Sequence, residues 1–159
     1  MEISELFIKK SRAYLSETYL PKLEKALADL PDEDIWWRAN EASNSIGNLL
    51  LHLDGSTRMW VISGVGGAPD HRDRQQEFDE RDLLPGTELL AQLKATLSEV
   101  DQVLAAVTEE QLASTIQVRD NQLTALAAIY HAVEHFSMHT GQILMLAKMR
   151  KGRDLELSK

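Results

Sequence analysis

Apolar residues recur along this chain at spacings of three and four, the period of helices packed against one another. Four long segments carry the pattern. The first covers about residues 4–30, with Leu6, Phe7, Leu15, Leu20, Leu23 and Leu27 on one side. Pro21 lies inside it and predicts a kink or break near Tyr19, because proline lacks the N–H that an interior helical position donates. Pro31-Asp32 ends the segment, and Trp36-Trp37 follow in a connection, where they are expected to pack beneath it. The second segment starts at Ser43 or Asn44, both good N-caps, and stops before Gly64. Ile46, Leu49, Leu50, Leu53, Thr57 and Trp60 share one face, with His52 on its flank.

The third segment, about residues 87–107, has the cleanest seam: Leu90, Leu93, Leu97, Val100, Leu104 and Val107. Thr108-Glu109-Glu110-Gln111 then reads as a capping box that opens a short extra turn. The fourth segment, about residues 123–149, is apolar over most of its circumference. That predicts a place at the centre of the structure, with Met138, Met145 and Met149 as filling. No strand-like alternation longer than a few residues is visible. The chain therefore reads as one all-α domain over residues 1–159, a four-helix bundle.

Residues 64–86 form a connection too long for a simple turn. Gly64, Gly66, Gly67 and Pro69 open it and Pro85-Gly86 close it. It is long enough to return to the starting end of the second helix, leaving the third parallel to it. Its charged middle, a strap from His71 to Arg81, has a length that is uncommon in compact domains unless it crosses over or carries function.

Composition narrows the function. The 159 residues are 43% hydrophobic and 26% charged, as in ordinary globular domains. The net charge is −8 with scattered Lys and Arg, which argues against a nucleic-acid partner, since phosphates demand a basic footprint. No apolar stretch is long enough to span a bilayer, and no basic-then-apolar start marks a secretory signal, so the expected location is cytoplasmic and away from membranes. The chain contains no cysteine, which removes disulfides, thiolate metal sites and a cysteine nucleophile of its own. Sulfur chemistry here would need an external thiol.

What chemistry the chain carries lies on the fourth helix. His131, His135 and His139 are spaced by four, and Gln142 continues the stripe. Side chains at i and i+4 are about 5–6 Å apart at Cβ, so two imidazoles can share one ion. His131 and His139 are about 12 Å apart along the axis, so all three cannot. A third ligand must come from elsewhere, and His52 is the only histidine on another predicted helix. Three neutral imidazoles leave coordination positions open, the layout of a catalytic metal. His131, Asn48 and Gln142 are then candidates for supporting or lining the site. His71 reads as a solvated loop residue. Two blander readings stand beside this one: a metal that merely braces the helices, and a metal-free core in which the histidines hydrogen-bond to one another and to Asn48 or Gln142.

The run Asn44-Ser45-Ile46-Gly47-Asn48-Leu49-Leu50-Leu51-His52-Leu53, followed by His135-Phe-Ser-Met-His139-Thr-Gly141-Gln142-Ile143, resembles the DinB/YfiT-like superfamily of metalloenzymes. The likeness spans nearly the whole chain. It implies a four-helix bundle in up-down-down-up order, a homodimer, and one nickel, zinc or iron ion on the positions of His52, His135 and His139. Characterised members include bacillithiol transferases and a mycothiol-dependent isomerase, which activate a low-molecular-weight thiol on the metal. The resemblance thus implies an enzyme of the small-thiol S-transferase type with a small-molecule substrate. A metal-dependent hydrolase and a non-catalytic bundle with a structural or regulatory metal are the alternatives.

Overall fold

The computed structural model describes residues 2–81 and 84–157. The first long helix is built from α1 (Ile3–Ala13), a π-helical segment over Tyr14–Tyr19, and α2 (Leu20–Leu27). Pro21 stands in the first turn of α2, where it has no N–H to offer the turn before it. The wider π register ahead of it absorbs that mismatch, so the expected break is a bulge in a continuous helix. A short α3 (Asp32–Ile35) then leads to Trp36, whose ring covers Gly47 and whose Nε1 donates to the Leu84 carbonyl at 2.9 Å.

Ser45 caps α4 (Ile46–Thr57): its Oγ accepts from the Asn48 N–H at 3.1 Å while the Asn48 side chain reaches back to the Ser45 N–H. The helix continues as a π-helical segment, Arg58–Val65. The connection that follows carries the short helix α5 (Arg74–Asp79), whose first N–H groups are taken by the Asp73 carboxylate. Next come α6 (Gly86–Ala106), α7 (Glu109–Ala113) with the expected Thr108–Gln111 capping box, and α8 (Ala125–Lys151). Gly152, at φ 62°, ends α8 in the left-handed conformation glycine favours.

Paired side chains give the helix directions. Arg12 meets Asp101 and Lys94 meets Glu24, so the first helix and α6 are antiparallel. Gln92 meets Asp54 and Arg58 meets Thr96, so α4 and α6 are parallel. His52 faces His135 whereas Trp60 faces His131, so α4 and α8 are antiparallel. The order is up-down-down-up, and the strap makes the crossover that leaves α6 parallel to α4. Leu15, Leu23, Leu53, Leu93, Leu97, Leu104, Ile129, Phe136 and Ile143 fill the interior. Each such side chain contributes roughly 1.5–3 kcal/mol by leaving water. The α6 seam is shifted at its start: Leu89 is buried and Leu90 only partly so.

Two features differ from the sequence expectation. Between α7 and α8 the chain forms an antiparallel hairpin, β1 (Thr115–Val118) with β2 (Asn121–Thr124), in which Thr115 pairs with Thr124 and Val118 with Asn121. And α8 is not enclosed all round: Tyr130 is 64% and Met145 61% exposed, with Leu126, Met138 and Met149 exposed as well. A helix in a four-helix bundle meets only part of its circumference, and apolar composition does not say which arc stays outside. No helix among the described residues is long and apolar enough to cross a membrane.

Candidate metal centre

His52 sits nearly two turns inside α4, and the spacing of four on α8 puts His135 and His139 on one face. Because α4 and α8 pack antiparallel, the three rings meet. His52 Nε2 is 3.1 Å from His135 Nε2, and His139 Nε2 is also 3.1 Å from it. One nitrogen from each ring lies within 4.8 Å of the others, a group that could hold a metal ion. Nitrogens bound to one ion at about 2.0–2.1 Å in tetrahedral directions lie about 3.3 Å apart, close to these separations. His52 is 5% exposed while His135 and His139 are half-buried, so the cluster opens to solvent on the α8 side.

Proton placement supports a cation between the rings. His52 Nδ1 lies 2.9 Å from Glu77 Oε2 and 3.1 Å from Arg72 Nη2; when it donates to the carboxylate, which only accepts, Nε2 is left as a bare lone pair. His139 Nδ1 lies 2.7 Å from Gln142 Oε1, with the same consequence for its Nε2. Two lone pairs therefore point at His135 Nε2. One N–H there cannot satisfy both acceptors linearly; a cation satisfies all three nitrogens at once. Burial comes first among the forces that lower the His135 pKa, joined by the charges of His139, His52, His131 and Arg72; together they bring it to about 3. Burial also lowers His139 against the opposing pull of Gln142 and Glu134. His135 is thus neutral, the form that ligates, at any physiological pH.

Glu77 and Arg72 belong to this site, whereas the sequence shows them only as charged residues of the strap, without a role. Glu77 is 8% exposed and takes Arg72 through both oxygens, Nε to Oε1 at 2.6 Å and Nη2 to Oε2 at 2.8 Å. Burial pushes the Glu77 carboxyl up, but hydrogen bonds and charge from Arg72 and His52 outweigh it, and the group ends below the usual glutamate range. Arg72 Nη1 also approaches Met59 Sδ at 3.6 Å. The strap gets this close because residue 55, one turn beyond His52, is glycine: a Cβ there would lie 2.1 Å from Glu77 Oε1. That glycine, together with the length of the strap, was the available signal. Phe78 packs against the His52 ring at 4.8 Å between centroids.

The supporting candidates separate. Gln142 orients His139. Asn48 serves the strap: its amide donates to the Glu77 and Glu80 carbonyls at 2.9 and 3.1 Å and so ties the strap down. Arg119, in the hairpin loop at φ 51°, ties its other end through Asp70 and the Arg72 carbonyl. His131 lies against Trp60 and the His135 ring, outside the ligand group. His71 is exposed, as expected.

Solved structures share this bundle fold, among them proteins described as DinB-like. A DinB-like protein of Bacillus subtilis, YjoA, superposes with a TM-score of 0.68 at 18% identity, covering 92% of this chain and 94% of that one. A DinB-like protein of Bacillus cereus gives 0.69 at 15% identity, covering 93% of each. A conserved protein of Enterococcus faecalis gives 0.77 at 16% identity, covering 96% of this chain and 99% of that one. More narrowly, residues 2–158 match the family described as protein of unknown function DUF1572, and the chain belongs to that family. No functionally curated protein matches the sequence.

Proposed function

We propose that this protein is a metal-dependent enzyme of the small-thiol S-transferase type, acting on a small molecule and holding one divalent ion through His52, His135 and His139. The observation that carries the reading is the convergence of three Nε2 atoms, with Glu77 and Gln142 placed to accept from the Nδ1 atoms of His52 and His139. A nickel, zinc or iron ion there would supply Lewis acidity, lowering the pKa of a thiol or water that reaches its open positions. The chain's own contribution is positional. Glu77 fixes the His52 tautomer, Gln142 fixes that of His139, and Phe78 packs against the His52 ring. With no cysteine in the sequence, a sulfur nucleophile must be a low-molecular-weight thiol from outside. The same reading includes a homodimer, supported by the exposed line Leu126, Tyr130, Met138, Met145 and Met149 on α8.

Cobalt substitution tests the proposal. Adding a small thiol to the cobalt protein is expected to produce intense charge-transfer absorption in the near ultraviolet. Exchangeable water on the ion with no thiol band favours the hydrolase alternative. If neither thiol nor exchangeable water is found, the ion is a brace and the enzyme reading falls.

A further inference from the structure

Arg12, Arg58, Arg72, Arg119 and Arg150 each pair with a carboxylate. Arg38, Arg74 and Arg81 form no ion pair among the described residues, and these three gather around Phe78. Arg38 Nη2 donates to the Phe78 carbonyl at 3.2 Å and to Asn48 Oδ1 at 2.5 Å. Arg81 Nη1 donates to the same Phe78 carbonyl at 2.7 Å and to that of Glu80 at 2.9 Å. Arg74 lies over the Phe78 ring, its Cζ 4.9 Å from the centroid.

Two guanidinium groups on one neutral oxygen repel, since their donor nitrogens are no more than about 6 Å apart. Burial lowers the Arg38 pKa, the charge of Arg81 lowers it further, and Glu41 opposes both without forming an ion pair. The Glu80 carboxylate accepts from the backbone N–H of Arg81 at 2.9 Å rather than from its guanidinium. Each guanidinium donates through one terminal nitrogen. Its Nε and its other terminal nitrogen have no acceptor among the described residues. Side-by-side N–H groups of this kind are the fork that holds two oxygens of one anion. A group with several oxygens and a negative charge would both relieve the repulsion and take up the idle donors.

Phe78 joins the pair to the histidines. Its ring packs 4.8 Å from that of His52, and Asn48 stands one turn before His52 on α4, about 6 Å along the axis. Because α8 runs antiparallel to α4, that displacement leads toward Gln142, the exposed end of the cluster.

We propose that Arg38 and Arg81 form a seat for the oxyanion group of a small molecule, a carboxylate or a phosphate, beside the histidine cluster. The seat needs no metal, so it stands or falls apart from the thiol-transferase reading; under that reading it selects substrates or thiols that carry an anion.

The test is a titration with inorganic phosphate, and separately with succinate, followed by amide NMR at Arg38, Asn48 and Phe78. Chloride at matched ionic strength is the control. Saturable shifts are expected from at least one oxyanion and none from chloride, and the oxyanion that saturates at the lower concentration names the group. Arg81→Gln should weaken that binding about tenfold or more, the scale of one charged hydrogen bond lost. Arg81 is exposed and its side chain reaches only backbone carbonyls, so this variant decides the matter if Arg38→Gln loosens the strap. Removing metal with a chelator should leave the shifts unchanged. Absence of saturable shifts, an equal response to chloride, or undiminished binding by Arg81→Gln would overturn the proposal. So would shifts that vanish on chelation, which put the anion on the metal, or a phosphate-soaked crystal with the anion elsewhere, an adventitious ion only.

Discussion

Replacing Glu77 with Gln isolates what the strap does for the histidine cluster. In the native protein the carboxylate both accepts from His52 Nδ1 at 2.9 Å and neutralises Arg72, whose side chain is 6% exposed. Glutamine keeps the size and one acceptor but removes the charge. Arg72 Nη2 already lies 3.1 Å from His52 Nδ1. Without a carboxylate between them, the guanidinium can donate to that nitrogen, which moves the ring proton onto Nε2, the atom that should ligate. Loss of an outer partner of a ligating histidine typically costs about 10–100-fold in metal affinity, and that range is expected here. Breaking a buried ion pair costs about 3–5 kcal/mol when one charge is left uncompensated. Because glutamine still hydrogen-bonds, the expected stability loss lies toward the lower end of that range. A chelator competition titration reads the affinity, and urea unfolding of the metal-free protein reads the stability. A variant that binds zinc within twofold of wild type would show that Glu77 does not set the His52 tautomer.

Three further outcomes are expected. His135→Ala should abolish stoichiometric metal while His131→Ala keeps it, as read by elemental analysis of untagged protein; full metal in the His135 variant removes that ligand assignment. Chelation should lower the thermal midpoint without loss of helicity at room temperature, because the Leu93-to-Leu104 seam is buried independently of the histidines, and circular dichroism checks it. Acid should destabilise the metal-free protein between about pH 6.5 and 3, where the unfolded chain protonates His135 and the folded one does not; the slope should lessen in His135→Asn, and an equal slope counts against a neutral His135.

The three histidines were legible because each lies on a helix. A regular period fixes the relative direction of His135 and His139 from sequence alone, and with one histidine on the other inward face, His52 had no competitor. Glu77 had several: the strap carries Asp73, Asp79 and Glu80 beside it, and no period ranks carboxylates in a crossover. Its role depends on the chain folding back over 25 residues, a contact decided by Gly55, Asn48 and Arg119 together. The hairpin was missed for a related reason. Its strands are four residues each, and its loop is Arg119-Asp120, without the glycine or asparagine that usually announces such a turn. On α8, the methionines satisfy an apolar pattern equally well inside or outside the bundle, and they lie outside.

Charge accounting ties the strap to the chemistry. Histidine ligands are neutral, and the nearest carboxylate, Glu77, is cancelled by a bidentate Arg72. An ion on the cluster would keep nearly its whole charge, unlike one bound by thiolates or by an unpaired carboxylate. On the open side Glu134 is exposed, so water screens its pull on His139, and Gln142 is neutral and engaged with His139. Such a centre favours an anionic fourth ligand from solution and lowers the pKa of whatever acid supplies it. A thiol, with an unperturbed pKa near 8.5, needs only a small shift to ionise at neutral pH, whereas water must fall from about 15.7. Arg72 is therefore more than a clamp on Glu77. By holding that carboxylate's charge off the cluster, it would preserve the acidity on which the proposed thiol activation depends.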